Sequence, residues 1–518
     1  MSPLCKRLDI DKVCIGTEKE KFMRIEELLF NDNICKCSFL CVDDEGEWTV
    51  DALRKRVNNL SNILLRQNVK KTDCVGVLVE NSASFIVCMM AILRIGAKAV
   101  LLDPQLPKNS SDKILMKTRI KVLCVSGQRP ENNYGKIEAS DYMVLNEKVG
   151  DWNCENDYFL YDTSLSDTEA ALIMPTSGTT GSVKAVVLSH KAVVLNVKSI
   201  LEYMVPKEED VFFVTKTMVH SSTISGEILV ALAAGAKLIT MNPRVSVRTI
   251  IKRINLCQTT ILCLNPTILH LFCMNCCREE DFSSVRLVYT SGAIATKSLL
   301  EEAQTLFKNA EVLNVYGLTE AGPRVTAERV SRRNGSVGKP INGVEIFIRK
   351  PNGLNCDVNE EGIVFVKTKS LMLEYYEDIQ STQNKVKDGL LNTNDIGFID
   401  SEGDLHIVGR ADEMIITGAH NVHPNNIEEA IYSKGHLFKC IVFGIPDEAY
   451  GEKIICAMEK NSAICNQTIY ALECCKEKLA PYEIPHEFCV WDKIPQTPSG
   501  KVSRYLSRNK YFENMKQE

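Results

Sequence analysis

The chain has 518 residues, of which 45% are hydrophobic and 25% charged, a soluble globular composition too long for one ordinary domain. A formal net charge of -5 gives no electrostatic case for a nucleic acid or an anionic membrane as partner. The start, Met1-Ser-Pro-Leu-Cys-Lys-Arg, lacks a signal-peptide core, and charges such as Arg94 and Glu227 interrupt the longest apolar stretches, so a cytoplasmic chain with no membrane span is expected.

The 21 cysteines are scattered. Neither Cys35, Cys37 and Cys41 nor Cys273, Cys276 and Cys277 is followed by a second Cys/His pair at zinc-finger spacing. They read as free thiols serving as small apolar residues.

From Trp48 to Leu65 apolar residues recur at helical spacing, with Asp51 suited to the first turn. Val75–Val79 reads as a short buried strand, Ser84–Arg94 as a second helix, and Gly96–Pro104 as a further apolar run. Such alternation argues for parallel α/β layers. Residues 125–160 are polar and read as irregular.

Residues 170–188 hold the stretch that organises the rest. Ala170–Met174 reads as a strand and Ala185–Leu188 as another apolar run, joined by Pro175-Thr-Ser-Gly-Thr-Thr-Gly-Ser-Val-Lys184. Gly178 and Gly181 can take backbone angles closed to other residues, so successive N–H groups can converge into an anion nest. Thr176, Ser177, Thr179 and Thr180 add hydroxyl donors, and Lys184 adds a cation suited to phosphate. The spacing is not that of the common P-loop, and a Ser/Thr-rich surface turn is the alternative.

Lys191–Leu201 reads as a helix and Val211–Val214 as a strand leading to His220, at a strand-to-helix junction where a structural histidine is the alternative. Leu287–Ala293 and Glu311–Glu320 are strands ending in turns, and Gly343–Val366 reads as antiparallel. In Asn392–Arg410, Asp395 suits a ribose diol, since a carboxylate can accept from two hydroxyls, and Arg410 suits the same sugar or the phosphate. Strands Cys440–Gly444 and Lys453–Met458 and a helix Gln467–Leu479 form a compact α/β module, whose tail carries Pro498-Ser-Gly-Lys501.

Taken together, the 175–184 loop, Leu93–Pro104, Tyr316-Gly-Leu-Thr-Glu320, Asn392–Arg410 and the Lys501 turn resemble, in order, the motifs of the adenylate-forming enzymes. These are the acyl- and aryl-CoA synthetases, luciferases and peptide-synthetase adenylation domains, and the motif style here is closest to aryl/acyl-CoA ligases. Two departures flank the nest: the family usually has Pro at Val183 and often Gly at Ala185.

The resemblance implies an α/β fold: a large multi-layer domain with a β-rich section over residues 1–409, and a small mobile α+β domain over 410–518, hinged at Asp412. It implies ATP and Mg²⁺. Ser291, Gly292 and Ala293 would border the adenine, Tyr316 would stack on it, Gly317 would help bind the nucleotide, Thr319 would contact the α-phosphate, and Glu320 would hold the metal. A carboxylate beside polyphosphate is unfavourable without a bridging cation. His220, Ser222, Ile224, Val288, Ile294 and Leu318 would line the pocket of a small carboxylic acid.

Lys501 would bridge that carboxylate and the α-phosphate. After a rotation at the hinge, Gly418 would face a tunnel for the thiol of CoA or of a carrier protein's phosphopantetheine, and Tyr450 would stack on the CoA adenine. The implied activity is formation of an acyl-AMP, with release of pyrophosphate, then transfer to the thiol. The first alternative is a stand-alone amino-acid adenylating enzyme. Ser222 argues against it, because it stands where that group has an Asp for the α-ammonium. The second alternative, an inactive nucleotide-binding regulator, is opposed by Lys184, Glu320, Asp395, Arg410 and Lys501. No attached carrier, condensation or reductase module is expected after Lys501.

Overall fold

The structure is a computed structural model, and it describes residues 23–30, 39–104, 108–126, 143–146, 166–177, 183–242, 245–276, 282–328, 335–417, 420–496 and 502–515.

Two large sheets form the body. The first has nine strands in the order Lys339–Pro340, Arg324–Ala327, Glu311–Gly317, Leu287–Thr290, Ile261–Leu264, Val211–Val214, Lys237–Thr240, Leu40–Asp43, Gly46–Thr49. Its six central strands run parallel, as the strand–helix alternation requires, and the pairings at both ends are antiparallel. The second has seven strands in the order Glu374–Tyr375, Val183–Ser189, Ala170–Ser177, Lys98–Leu101, Cys74–Leu78, Val122–Val125, Met143–Asn146. Met143–Asn146 lies within the stretch expected to be irregular, and it pairs parallel with Val122–Val125.

The helices Val50–Arg66, Ala83–Arg94 and His190–Met204 start and end within three residues of the expected limits. Thr49 caps the first by accepting from the Ala52 N–H. Apolar side chains of these helices and of both sheets merge into one large core. A second core covers the other face of the nine-stranded sheet, under the helices Val247–Leu256, Pro266–Asn275 and Lys297–Leu306.

A third sheet is antiparallel, as the runs after Gly343 suggest. It joins Val344–Arg349, Gly362–Thr368 and Leu390–Ile399, with Val386–Lys387 and Leu405–Arg410 both paired to Leu390–Ile399. Ala411–Met414 connects it to a separate sheet of His420–Val422, Ile415–Thr417, Gly451–Glu459, Cys440–Asp447 and Glu487–Trp491. That last sheet has its own buried clusters, beneath Pro424–Tyr432 and Gln467–Lys478 on one face and Arg504–Met515 on the other. No described helix is long and apolar enough to cross a membrane.

Candidate active site

The expected phosphate loop falls at the turn between Ala170–Ser177 and Val183–Ser189. Gly178, Thr179, Thr180 and Gly181 lie outside the described residues, as do Gly418 and Lys501. The base of the loop is described: Thr176 pairs across the hairpin with Lys184, and its hydroxyl donates to the Lys184 carbonyl at 3.4 Å. Ser177 ends the first strand opposite Val183.

Lys184 does not stand alone. Its Nζ lies 4.9 Å from the centroid of the Tyr375 ring, on the strand that pairs with Val186. The Tyr375 hydroxyl in turn donates to Glu320 Oε1 at 2.7 Å. One phenol thus joins the loop lysine to the expected metal ligand. Burial pushes the Tyr375 phenol well up, and the Glu320 carboxylate beside it adds to that, so the hydroxyl stays protonated and donates.

Glu320 sits in a tight turn whose shape demands glycine. Gly317 has the Pro323 carbonyl oxygen 2.0 Å from where a Cβ would be, and the Pro323 carbonyl accepts from the Leu318 N–H. The turn Thr319–Ala321 ends at Gly322 with φ +91°. Thr319 faces the next wall, its hydroxyl 3.0 Å from that of Ser221, and the His220 carbonyl accepts from Thr223 and Ile224 at the start of the adjoining helix.

Tyr316 donates a short hydrogen bond to Asp395 Oδ2, and Arg410 Nη1 lies 3.5 Å from Asp395 Oδ1. Burial raises the Asp395 carboxyl, opposed by Tyr316, Arg410 and Lys385. Arg410 also holds Asp412, at 2.9 and 3.2 Å. Burial works against the guanidinium's charge, but these carboxylates outweigh it and move its pKa up. Asn394, at φ +67°, accepts from the Ala411 N–H at 2.9 Å, a second tie between this strand and the interdomain connection.

Ser291 is buried at the end of its strand, whereas Gly292, Ala293 and Ile294 are exposed. Tyr450 is 46% exposed in the turn between Cys440–Asp447 and Gly451–Glu459, its ring centroid 4.5 Å from that of His486.

Three of the expected wall residues pack against apolar clusters. Val288 is fully buried in the second core, because alternation along a strand sends it to the face opposite Tyr289. Ile224 is fully buried in the large core. Leu318 packs toward Val325, Val366 and Leu391 on the side of the third sheet. His220, Ser222 and Ile294 keep some exposure.

Sequence reading missed several polar groups here. Lys385 donates to the Thr393 carbonyl at 3.0 Å, and burial, with Arg410 and Lys184 nearby, lowers its pKa against the pull of Glu320 and Asp395. Lys216, Glu227, Tyr203, Tyr289 and Arg324 cluster between the nine-stranded sheet and its covering helices. Glu227 lies on a π-turn, Ile224–Ile228.

Fold and site define an adenylate-forming ligase, which joins a carboxylic acid to a thiol through an acyl-AMP. The chain belongs to the AMP-binding enzyme family: that family's model matches residues 34–376, and the model of the AMP-binding enzyme C-terminal domain matches 426–501. It is similar to a 2-succinylbenzoate–CoA ligase of Bacillus pumilus, 29% identical over 474 residues, covering 90% of this chain and 94% of that one. An anthranilate CoA ligase in complex with anthranoyl-AMP superposes with a TM-score of 0.87 at 22% identity, over 95% of this chain and 97% of that one. An o-succinylbenzoate coenzyme A synthetase from Bacillus subtilis, in complex with ATP and magnesium ion, gives 0.80 at 24% identity, over 93% and 98%.

Proposed function

We propose that this ligase acts on an aryl or medium-length acyl acid lacking an α-amino group, and that its acceptor is CoA. A carboxylate is a poor electrophile, since its charge repels nucleophiles and oxide leaves badly. ATP overcomes both obstacles: the acid attacks the α-phosphate, pyrophosphate departs, and the acyl carbon then carries AMP as a good leaving group.

The observation that carries this reading is the chain of contacts Lys184–Tyr375–Glu320. It joins a cation for the leaving phosphates to a carboxylate beside them. Glu320 Oε1 accepts from Tyr375, which leaves Oε2 for Mg²⁺. One protein carboxylate plus substrate phosphates is the donor set that ion usually takes, and bound there it would neutralise the departing pyrophosphate. Thr319 would contact the α-phosphate. Asp395, held by Tyr316 and Arg410, would accept from the ribose hydroxyls, with Ser291, Gly292 and Ala293 along the adenine.

Lys501 would bring positive charge to the oxygens shared by acid and α-phosphate. Rotation about Asp412, whose carboxylate Arg410 grips, would then replace Lys501 by the Gly418 face and admit the thiol. CoA is favoured over a carrier protein by the CoA ligases among the similar proteins and by the exposed Tyr450, a ring able to stack on adenine.

The test is pyrophosphate–ATP exchange with a panel of benzoates, fatty acids and amino acids. Exchange with aryl or acyl acids is expected. Exchange confined to amino acids would overturn the reading.

A further inference from the structure

The C-terminal part rests on the body at both ends of one helix, Pro424–Tyr432. At its start, Asn425 Nδ2 donates to the Val408 carbonyl at 3.0 Å, just before the connection that carries Asp412. A Cβ on Gly409 would lie 3.2 Å from the same amide nitrogen, so the fit there is close. His423 Nε2 lies 3.5 Å from Glu361 Oε2 on the same side.

The other end lies about 13 Å along the helix, at about 1.5 Å per residue. There His436 is only 6% exposed, and both its ring nitrogens face the body. Nδ1 lies 3.0 Å from Glu302 Oε1, and Nε2 lies 3.3 Å from the hydroxyl of Thr296, the cap of the Lys297–Leu306 helix. The His436 ring stacks on Tyr432 at 4.4 Å and lies 5.1 Å from His270 on the Pro266–Asn275 helix.

Each side of this contact is fixed by its own part of the chain. The Tyr432 hydroxyl accepts from the Cys440 N–H at 2.8 Å, which sets the ring that backs His436. Gly435, with φ +108°, makes the turn that presents His436, and that backbone angle favours glycine. Thr296 accepts from the Leu299 N–H at 3.2 Å. Burial works to raise the Glu302 carboxyl, but His436 and His270 outweigh it and hold it below its usual range.

A rotation about Asp412 keeps the Val408 contact near its pivot and carries His436 away from Glu302. We propose that Glu302 and His436 form a latch, a positioning pair that holds the C-terminal part in the arrangement described and so weights acyl-AMP formation against thiol transfer. The proposal rests on the two-step reading above and adds to it the residues that balance the two steps. A contact made in only one of two arrangements shifts their populations by its own free energy. A lost hydrogen bond to a charged group shifts them about tenfold or more.

The two half-reactions are measured separately, as pyrophosphate exchange with a supporting acid and as conversion of supplied acyl-AMP with CoA. His436→Ala and Glu302→Gln should each move the ratio of the two rates about tenfold, in the same direction. Glu302→Lys should do so as well, and adding His436→Glu to it should bring the ratio back toward wild type. Gly435→Ala, which alters neither partner but strains the turn, should move it the same way, and serves if His436→Ala folds poorly.

An unchanged ratio, equal losses in both half-reactions, or a loss confined to Tm would overturn the proposal. Should neither half-reaction occur, the activity reading fails separately, and small-angle X-ray scattering then decides the inference. His436→Ala and Glu302→Lys should raise the radius of gyration with circular dichroism unchanged, and the Glu302→Lys, His436→Glu double variant should restore it. Radii equal to that of the wild type sink the proposal.

Discussion

The hydroxyl of Tyr375 donates to Glu320 across 55 residues of sequence, at 2.7 Å. Its ring faces Lys184 at 4.9 Å, so one side chain holds the two charges expected to flank the triphosphate in register. Tyr375→Phe keeps the ring and removes only the hydrogen bond to the carboxylate. A hydrogen bond to a charged group is worth about 1.5–3 kcal/mol, so pyrophosphate exchange should fall about tenfold or more, with a higher Mg²⁺ requirement. An unchanged rate and Mg²⁺ dependence would remove Tyr375 from the site.

Lys501 is expected to serve acyl-AMP formation and not thioester formation. Lys501→Ala should lose acyl-AMP formation by orders of magnitude, yet still convert supplied acyl-AMP with CoA. Stopped-time assays of each half-reaction separate the two, and equal losses in both would contradict the role.

The connection Ala411–Met414 joins two separate sheets, and Arg410 clasps Asp412 at its start. Proline fixes φ, so Asp412→Pro should hold one arrangement of the two parts and spare one half-reaction while abolishing the other. Asp412→Ala, which removes the carboxylate and leaves the backbone free, should keep both. Near wild-type rates for Asp412→Pro would move the hinge elsewhere.

His270, on the Pro266–Asn275 helix, lies 5.1 Å from His436 and 6.4 Å from Tyr432, ring to ring, at the contact with the C-terminal part. Burial lowers its pKa from 6.5 to about 4, with His436 and Lys439 lowering it further against Glu302. The folded chain keeps this imidazole neutral, while the unfolded chain binds a proton below about pH 6.5. Its contribution is therefore intact above about pH 6.5 and is lost as the pH falls toward 4, up to about 3 kcal/mol. Melting curves from pH 7.5 to 5 should show His270→Phe losing less Tm on acidification than the wild type. Parallel curves would contradict this.

The parallel layers were legible because apolar runs and helical periodicity are local, and so were the positions of Thr319, Glu320, Asp395 and Arg410, which lie in compact motifs. What stayed hidden depends on distant pairing. Tyr375 reaches Glu320 only because its strand joins the Val183–Ser189 edge. Val288 belongs to the second core, and alternation says only that neighbours diverge without saying which face is the core.

The central claim is that a carboxylate oxygen attacks the α-phosphate of ATP. An acid that supports exchange, labelled with ¹⁸O in its carboxylate, tests this directly when turned over with ATP and CoA and the products weighed by mass spectrometry. The bridging oxygen stays with phosphorus when the thiol attacks the acyl carbon. The account therefore predicts one ¹⁸O in AMP and none in pyrophosphate. Label in inorganic phosphate with ADP formed, or AMP without label, would contradict it.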